Sequence, residues 1–219
     1  MTYIKICGIK EETHALVSAK AGADATGLVF APSPRRVNLE QAQKIAIAVR
    51  QSGYPVEVVG IFVNSHPTTV NAIAENCHLD RVQLSGDESW EYCREIARPM
   101  IKSVRVKRGQ SAAEVCAHLA EGARILAQQK YIVLLDSQVR GKYGGTGKVF
   151  DWNLASQIAR EYPVLLAGGL TPENVAQALK RVAPWGVDVS SGVESGGVKH
   201  ISRIRAFIAA VRRYDEHGG

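Results

Sequence analysis

Apolar and polar positions along the chain follow two alternating rhythms. Short runs rich in β-branched and apolar residues fall at 3–7, 25–30, 56–62, 81–84, 100–104, 131–135, 164–167 and 186–189, which predicts strands. Between them, the segments 11–21, 39–50, 68–76, 89–98, 111–121, 152–161, 172–181 and 200–213 carry apolar residues at helical spacing. Start signals support several helices: Asn38 precedes the stretch from Leu39, and Thr171 stands as a cap before Pro172 at the first helical position. Strict strand/helix alternation with short links predicts parallel strands. Eight repeats allow closure into a (βα)8 barrel with no exposed sheet edge. An open doubly wound sheet is the structural alternative.

Length agrees with one barrel domain over 1–219, and neither a linker-like tract nor a low-complexity segment interrupts it. Hydrophobic residues make up 46% and charged residues 22%, ordinary for a soluble globular protein. No apolar run approaches the roughly 20 residues that span a bilayer, so no membrane partner is expected. The N-terminus reads as a strand carrying Lys5 and Cys7 rather than a secretory signal, which makes the cytoplasm the expected location. The four cysteines lie far apart with no CxxC, which suggests reduced thiols and neither a zinc site nor a disulfide framework. The formal charge of +6 is spread along the chain beside Glu and Asp, the pattern of a solvated surface rather than a nucleic-acid interface. A modest positive field also attracts small anions.

Nucleotide-binding readings fail on spacing. No G-x-G-x-x-G follows the first strand, and Gly147-Lys148 lacks the P-loop pattern because Lys142 and Val149 occupy its Gly and Ser/Thr positions. Two other loops point to phosphate. Gly168 and Gly169 follow the seventh strand, and Ser190, Ser191 and Gly192 follow the eighth. Glycine lets backbone N–H groups approach an anion, and barrels often bind phosphate after strands seven and eight. Tight turns alone would explain either cluster; both together, in adjacent loops at the expected places, favour phosphate over tight turns. After the sixth strand runs the longest connection, 136–149, glycine-rich and of a length that suggests a mobile lid.

Cys77, Cys93 and Cys116 sit in or beside helical segments and read as small buried hydrophobes. Cys7 differs, because it ends the first strand. There a thiolate is placed to take a proton from carbon, provided a positive neighbour lowers its pKa from about 8.5. Asp136, at the end of the sixth strand, is either a loop anchor or a catalytic carboxyl. Arg35 and Arg36 follow the second strand and suit bidentate capture of a carboxylate, or else form a solvated basic turn.

Lys5-Ile6-Cys7-Gly8-Ile9, Gly27-Leu28-Val29-Phe30, Ser33-Pro34-Arg35, Gln83-Leu84, Leu134-Leu135-Asp136, Gly144-Gly145-Thr146-Gly147-Lys148 with Phe150-Asp151-Trp152, Gly168-Gly169-Leu170 and Val187-Asp188-Val189-Ser190-Ser191-Gly192-Val193-Glu194 occur in this order. Together they closely resemble the phosphoribosylanthranilate isomerase family over essentially the whole chain. The resemblance implies a (βα)8 barrel that isomerises N-(5′-phosphoribosyl)anthranilate to 1-(2-carboxyphenylamino)-1-deoxyribulose 5-phosphate in tryptophan biosynthesis, with no cofactor or metal. It further implies Asp136 as general acid, Cys7 as general base and Arg35 as holder of the anthranilate carboxylate. Gly168, Gly169, Ser190, Ser191 and Gly192 carry over as phosphate binders, and Asp188 as a residue orienting that end of the site. The expected partner is a small phosphorylated substrate, and the expected state is a monomer or homodimer.

One position departs from the pattern: the family often reads Q-L-H-G after the fourth strand, whereas this chain has Gln83-Leu84-Ser85-Gly86. The implied mechanism gives proton transfer to Cys7 and Asp136, so the change is expected to touch ligand positioning or local packing. A related barrel isomerase of histidine biosynthesis, acting on a phosphoribosyl-aminoimidazole or on both substrates, pairs two aspartates, one of them where this chain has Cys7. A noncatalytic phosphate-binding barrel would keep the glycine and serine loops and need neither Cys7 nor Asp136.

Overall fold

The computed structural model describes residues 1–107, 109–137 and 151–218. The eight strands are β1 (Tyr3–Cys7), β2 (Ala25–Val29), β3 (Glu57–Phe62), β4 (Arg81–Leu84), β5 (Met100–Val106), β6 (Tyr131–Ser137), β7 (Val164–Leu166) and β8 (Gly186–Val189). They pair in parallel, each with its successor, and β8 returns to β1 to close the barrel. The helices are α1 (Glu12–Ala21), α2 (Leu39–Gln51), α3 (Pro67–Asn76), α4 (Trp90–Cys93), α5 (Ala112–Ile125), α6 (Trp152–Ala159), α7 (Val175–Val182) and α8 (Ile201–Glu216). The open-sheet alternative falls with the closure.

Strand alternation divides the core in two. Ile4, Ile6, Met100 and Val104 face outward into the layer between barrel and helices. Ala25, Val59, Ile101, Leu134 and Leu165 fill the barrel itself. Lys102, on the outward face of β5, is buried against Glu88 at 3.1 Å. Glu88 also accepts from the backbone N–H of Asn64 and of Gly86, so one carboxylate ties the ends of β3 and β4 together.

Three expectations from the sequence need correction. The helix expected over 89–98 is helical only at α4. Pro99 disfavours helical backbone before it, and the freed groups find side-chain partners: Asn71 bonds the Glu95 carbonyl and the Ala97 N–H, and Gln129 donates to the carbonyls of Cys93 and Arg94. The helix expected from Pro172 begins at Val175. Thr171 still caps, but its hydroxyl accepts from Glu173 N–H in a turn before the helix. The strand/helix alternation is also broken after β8, where a 3₁₀ turn (Ser191–Val193) leads into the hairpin β9 (Glu194–Ser195) and β10 (Val198–Lys199) before α8. Asn38, by contrast, forms a full capping box with Gln41 on α2.

Candidate active site

The C-terminal ends of the strands form a mouth with unlike sides. Over β1 to β3, Cys7, Val29, Ala31 and Ile61 make an apolar cluster, with Val63 packed against it. On the opposite side, Asp136, Gly168, Gly169, Asp188, Ser190, Ser191 and Gly192 line one cavity with Ala167, Leu170 and Val189. Seven of the nine residues singled out in the sequence therefore meet in one place, with Cys7 and Arg35 outside that lining. The β7 and β8 loops approach so closely that a Cβ on Gly192 would lie 1.8 Å from the Leu170 carbonyl oxygen. Gly168 and Gly169 both take the left-handed backbone, at φ 90° and 69°. Successive N–H groups in turns of this kind make anion-binding concavities.

A chain of charged side chains joins the two sides. Lys5 lies two residues before Cys7 on the inward face of β1 and is fully buried. Its Nζ donates to Asp188 Oδ1 at 2.6 Å, across a register in which Lys5 and Asp188 are direct neighbours. Arg35 donates through Nε and Nη2 to the two carboxylate oxygens of Glu194, at 2.7 and 2.8 Å. Lys199, buried on β10, donates to Glu194 Oε1 at 2.5 Å and to the Ser190 carbonyl at 2.9 Å. The aliphatic stem of Arg35 crosses Gly8, which sits at φ 79°, and a Cβ there would lie 2.5 Å from Arg35 Cδ. Glycine at position 8 thus lets the arginine fold back over the end of β1.

Burial pushes the Cys7 thiol up, while Lys5 and Lys199 pull it down and Asp188 adds to the upward push. The positive neighbours expected from the sequence are present, but burial outweighs them. Burial disfavours the Lys5 ammonium, yet Asp188 and Cys7 more than offset this and hold its pKa above the ordinary value. Burial also raises Glu194, and its bonds to Arg35 and Lys199 reverse the sign and hold it below the usual carboxylate range. For Lys199 burial prevails and its pKa is lowered, although Glu194 opposes the shift. Among the described residues, no group of three or more His, Cys, Asp or Glu is arranged to hold a metal ion.

The model of the family N-(5'phosphoribosyl)anthranilate (PRA) isomerase matches residues 4–210. The chain belongs to the phosphoribosylanthranilate isomerase family. An N-(5'-phosphoribosyl)anthranilate isomerase from Dehalococcoides mccartyi is 43% identical over 215 residues, 98% of either chain. Among solved structures, mutually generated monomers of the dimeric enzyme from Thermotoga maritima superpose with a TM-score of 0.80 at 35% identity, covering 97% of this chain and 100% of that one. A phosphoribosyl anthranilate isomerase in complex with reduced 1-(o-carboxyphenylamino)-1-deoxyribulose 5-phosphate gives a TM-score of 0.78 at 35% identity, with the same coverage.

Against the family pattern, Ser85 replaces the usual histidine at the end of β4. Its hydroxyl accepts from Gln83 Nε2 at 2.9 Å, while Gln83 Oε1 is buried with no partner among the described residues. Of the connection 136–149 read as a lid, residues 138–149 lie outside the described residues. Sequence reading assigned no role to Lys5, Glu194 or Lys199. Lys5 carried a signal: a lysine inside an apolar strand, in step with Cys7, faces the barrel interior whenever Cys7 does. Lys199 carried none, because a two-residue strand has no pattern to read.

Proposed function

We propose that this chain isomerises N-(5′-phosphoribosyl)anthranilate to 1-(2-carboxyphenylamino)-1-deoxyribulose 5-phosphate in tryptophan biosynthesis, with Asp136 and Cys7 as the acid/base pair. Asp136 gives its proton to the furanose ring oxygen as the C1′–O bond breaks, and the nitrogen lone pair forms the protonated imine. That imine acidifies the neighbouring C2′–H. Cys7, as thiolate, removes the proton, and the resulting enolamine tautomerises to the ketone. The observation that carries this reading is the mouth itself. A thiol stands beside an apolar wall suited to the anthranilate ring, facing a cavity lined by Asp136 and the two glycine/serine loops.

The remaining parts follow by charge and shape. Gly168, Gly169, Ser190, Ser191 and Gly192 receive the phosphate, and Asp188 orients that end by holding Lys5. Arg35 keeps Nη1 as the donor that Glu194 does not use, which suits the anthranilate carboxylate. No helix among the described residues is long and apolar enough to cross a membrane. We place the enzyme in the cytoplasm, as a monomer or homodimer, the latter state being that of the Thermotoga maritima relative. The deciding experiment follows anthranilate fluorescence as phosphoribosylanthranilate is added. Loss of fluorescence with multiple turnovers is expected, and folded protein that turns nothing over refutes the reading.

A further inference from the structure

Lys5 is fully buried, yet the reaction as read above uses neither its charge nor its protons. A buried ammonium needs compensation, and Asp188 at 2.6 Å would supply all of it if the pair stood alone. It does not stand alone. Among the described residues around Cys7 are Lys5, Lys199 and Arg35 together with Asp188 and Glu194, and Asp136 lines the same mouth. Of the cations, Lys5 is the one that shares the inward face of β1 with the thiol, two residues away.

Several elements place charged groups around Cys7. Lys5 faces it from β1, Lys199 from β10 and Arg35 from the segment after β2, all favouring the thiolate, while Asp188 from β8 opposes it. Val29 of β2 and Ile61 of β3 are neutral. Lys5 is the charge with the largest favourable effect, and it alone shares a strand face with the thiol.

We propose that Lys5 is a positioning residue that eases ionisation of Cys7 to the thiolate, with Asp188 fixing the ammonium beneath it. The role rests on the reading of Cys7 as the base. Lys5 forms no bond to substrate and exchanges no proton in the reaction; it acts through the sulfur.

The test is the pH dependence of Cys7 alkylation by iodoacetamide, with Cys7 resolved from Cys77, Cys93 and Cys116 by peptide mass spectrometry. Lys5→Met is expected to move the ionisation of Cys7 upward by about one pH unit or more, a fall in alkylation rate at neutral pH of about tenfold or more. The limiting rate at high pH stays the same, and the acidic limb of kcat/KM moves with the alkylation curve. Asp188→Asn moves the curve to lower pH. Should Lys5→Met fold poorly because it strands Asp188, the double variant Lys5→Met/Asp188→Asn avoids the stranded carboxylate and shifts upward from the Asp188→Asn curve. An alkylation profile identical to the unsubstituted protein in a folded Lys5→Met variant, or identical to that of Asp188→Asn in the double variant, overturns the proposal. Alkylation needs no turnover, so it judges Lys5 separately from the fluorescence assay that judges the isomerase reading.

Discussion

The two ends of the barrel handle charge differently. At the N-terminal end, Glu57 of β3 accepts from Tyr3 Oη at 2.6 Å and from Arg81 Nε and Nη2 at 2.8 and 2.9 Å, so one carboxylate faces one guanidinium and a neutral phenol. Arg212 likewise meets Asp24 and Asp215 at that end. At the C-terminal end, Lys5 and Lys199 are buried beside an ionisable thiol, with Arg35, Asp188, Glu194 and Asp136 around them. The N-terminal charges stay partly exposed and satisfy one another. Cations held out of water beside a thiol favour negative charge nearby, which a thiolate or an anionic substrate can supply. That asymmetry fits barrels generally, where chemistry sits at the C-terminal ends of the strands and the other face serves stability.

The comparison breaks most visibly if the C-terminal end is stripped of Cys7 or Asp136. Cys7→Ala and Asp136→Asn are each expected to lower turnover by about 10²–10⁴-fold or more while thermal melting stays near that of the unsubstituted protein. Near-normal turnover in both would remove the acid/base assignment. Next in size is Gly192→Ala. Its methyl would meet the Leu170 carbonyl oxygen, and with backbone on both sides the two loops must part. The expected result is a rise in KM of about tenfold and a loss of stability of roughly 1–3 kcal/mol from overpacking, seen in steady-state kinetics and denaturant titration. An alanine variant with unchanged KM would separate this close approach from phosphate binding.

The N-terminal end gives the reciprocal test. Arg81→Met leaves the half-buried Glu57 with only Tyr3, and should cost roughly 1–2 kcal/mol of stability with kcat and KM almost unaffected. Its pH dependence has a definite sign. Burial alone would raise Glu57, but Arg81 and Tyr3 outweigh it and hold the folded pKa below the ordinary 4.5. The stabilisation is therefore present above about pH 4.5 and lost as pH falls through the lower, folded value. Acid melting curves of the Arg81→Met variant should be flatter in that window. A variant that instead lost activity at full stability would erase the distinction between the two ends.

Legibility in the sequence follows the same division. The barrel could be read because its signals are local and repeated: Ile4 and Ile6 alternate with Lys5 and Cys7, and Asn38 announces α2 with Gln41 three residues on. The glycine and serine loops could be placed together because they follow the ends of β7 and β8, adjacent strands of the barrel. What could not be read was partnership. Asp188 meets Lys5 only through barrel closure between β8 and β1, Arg35 reaches Glu194 across 159 residues of chain, and Lys199 meets Glu194 only because a hairpin of two-residue strands forms where the sequence has no strand pattern. The short α4 escaped for a similar reason: its missing turns are replaced by bonds from Asn71 and Gln129, far away along the chain.

The smallest expected effect concerns Ser85, at the end of β4. Its hydroxyl already accepts from Gln83, so its proton points away from that bond and is available to a ligand or a neighbour. A histidine here would restore the common family residue, but it would still stand apart from the thiol on β1 and the carboxyl on β6. Ser85→His is therefore expected to change kcat by less than about tenfold, mostly through substrate placement, because no step of the reaction is assigned to β4. A gain of several orders of magnitude would mean that β4 supplies a proton-transfer group in its relatives. In that case the cations around Cys7 would be compensation for a missing imidazole, and the Ser85→His variant should then tolerate Lys5→Met.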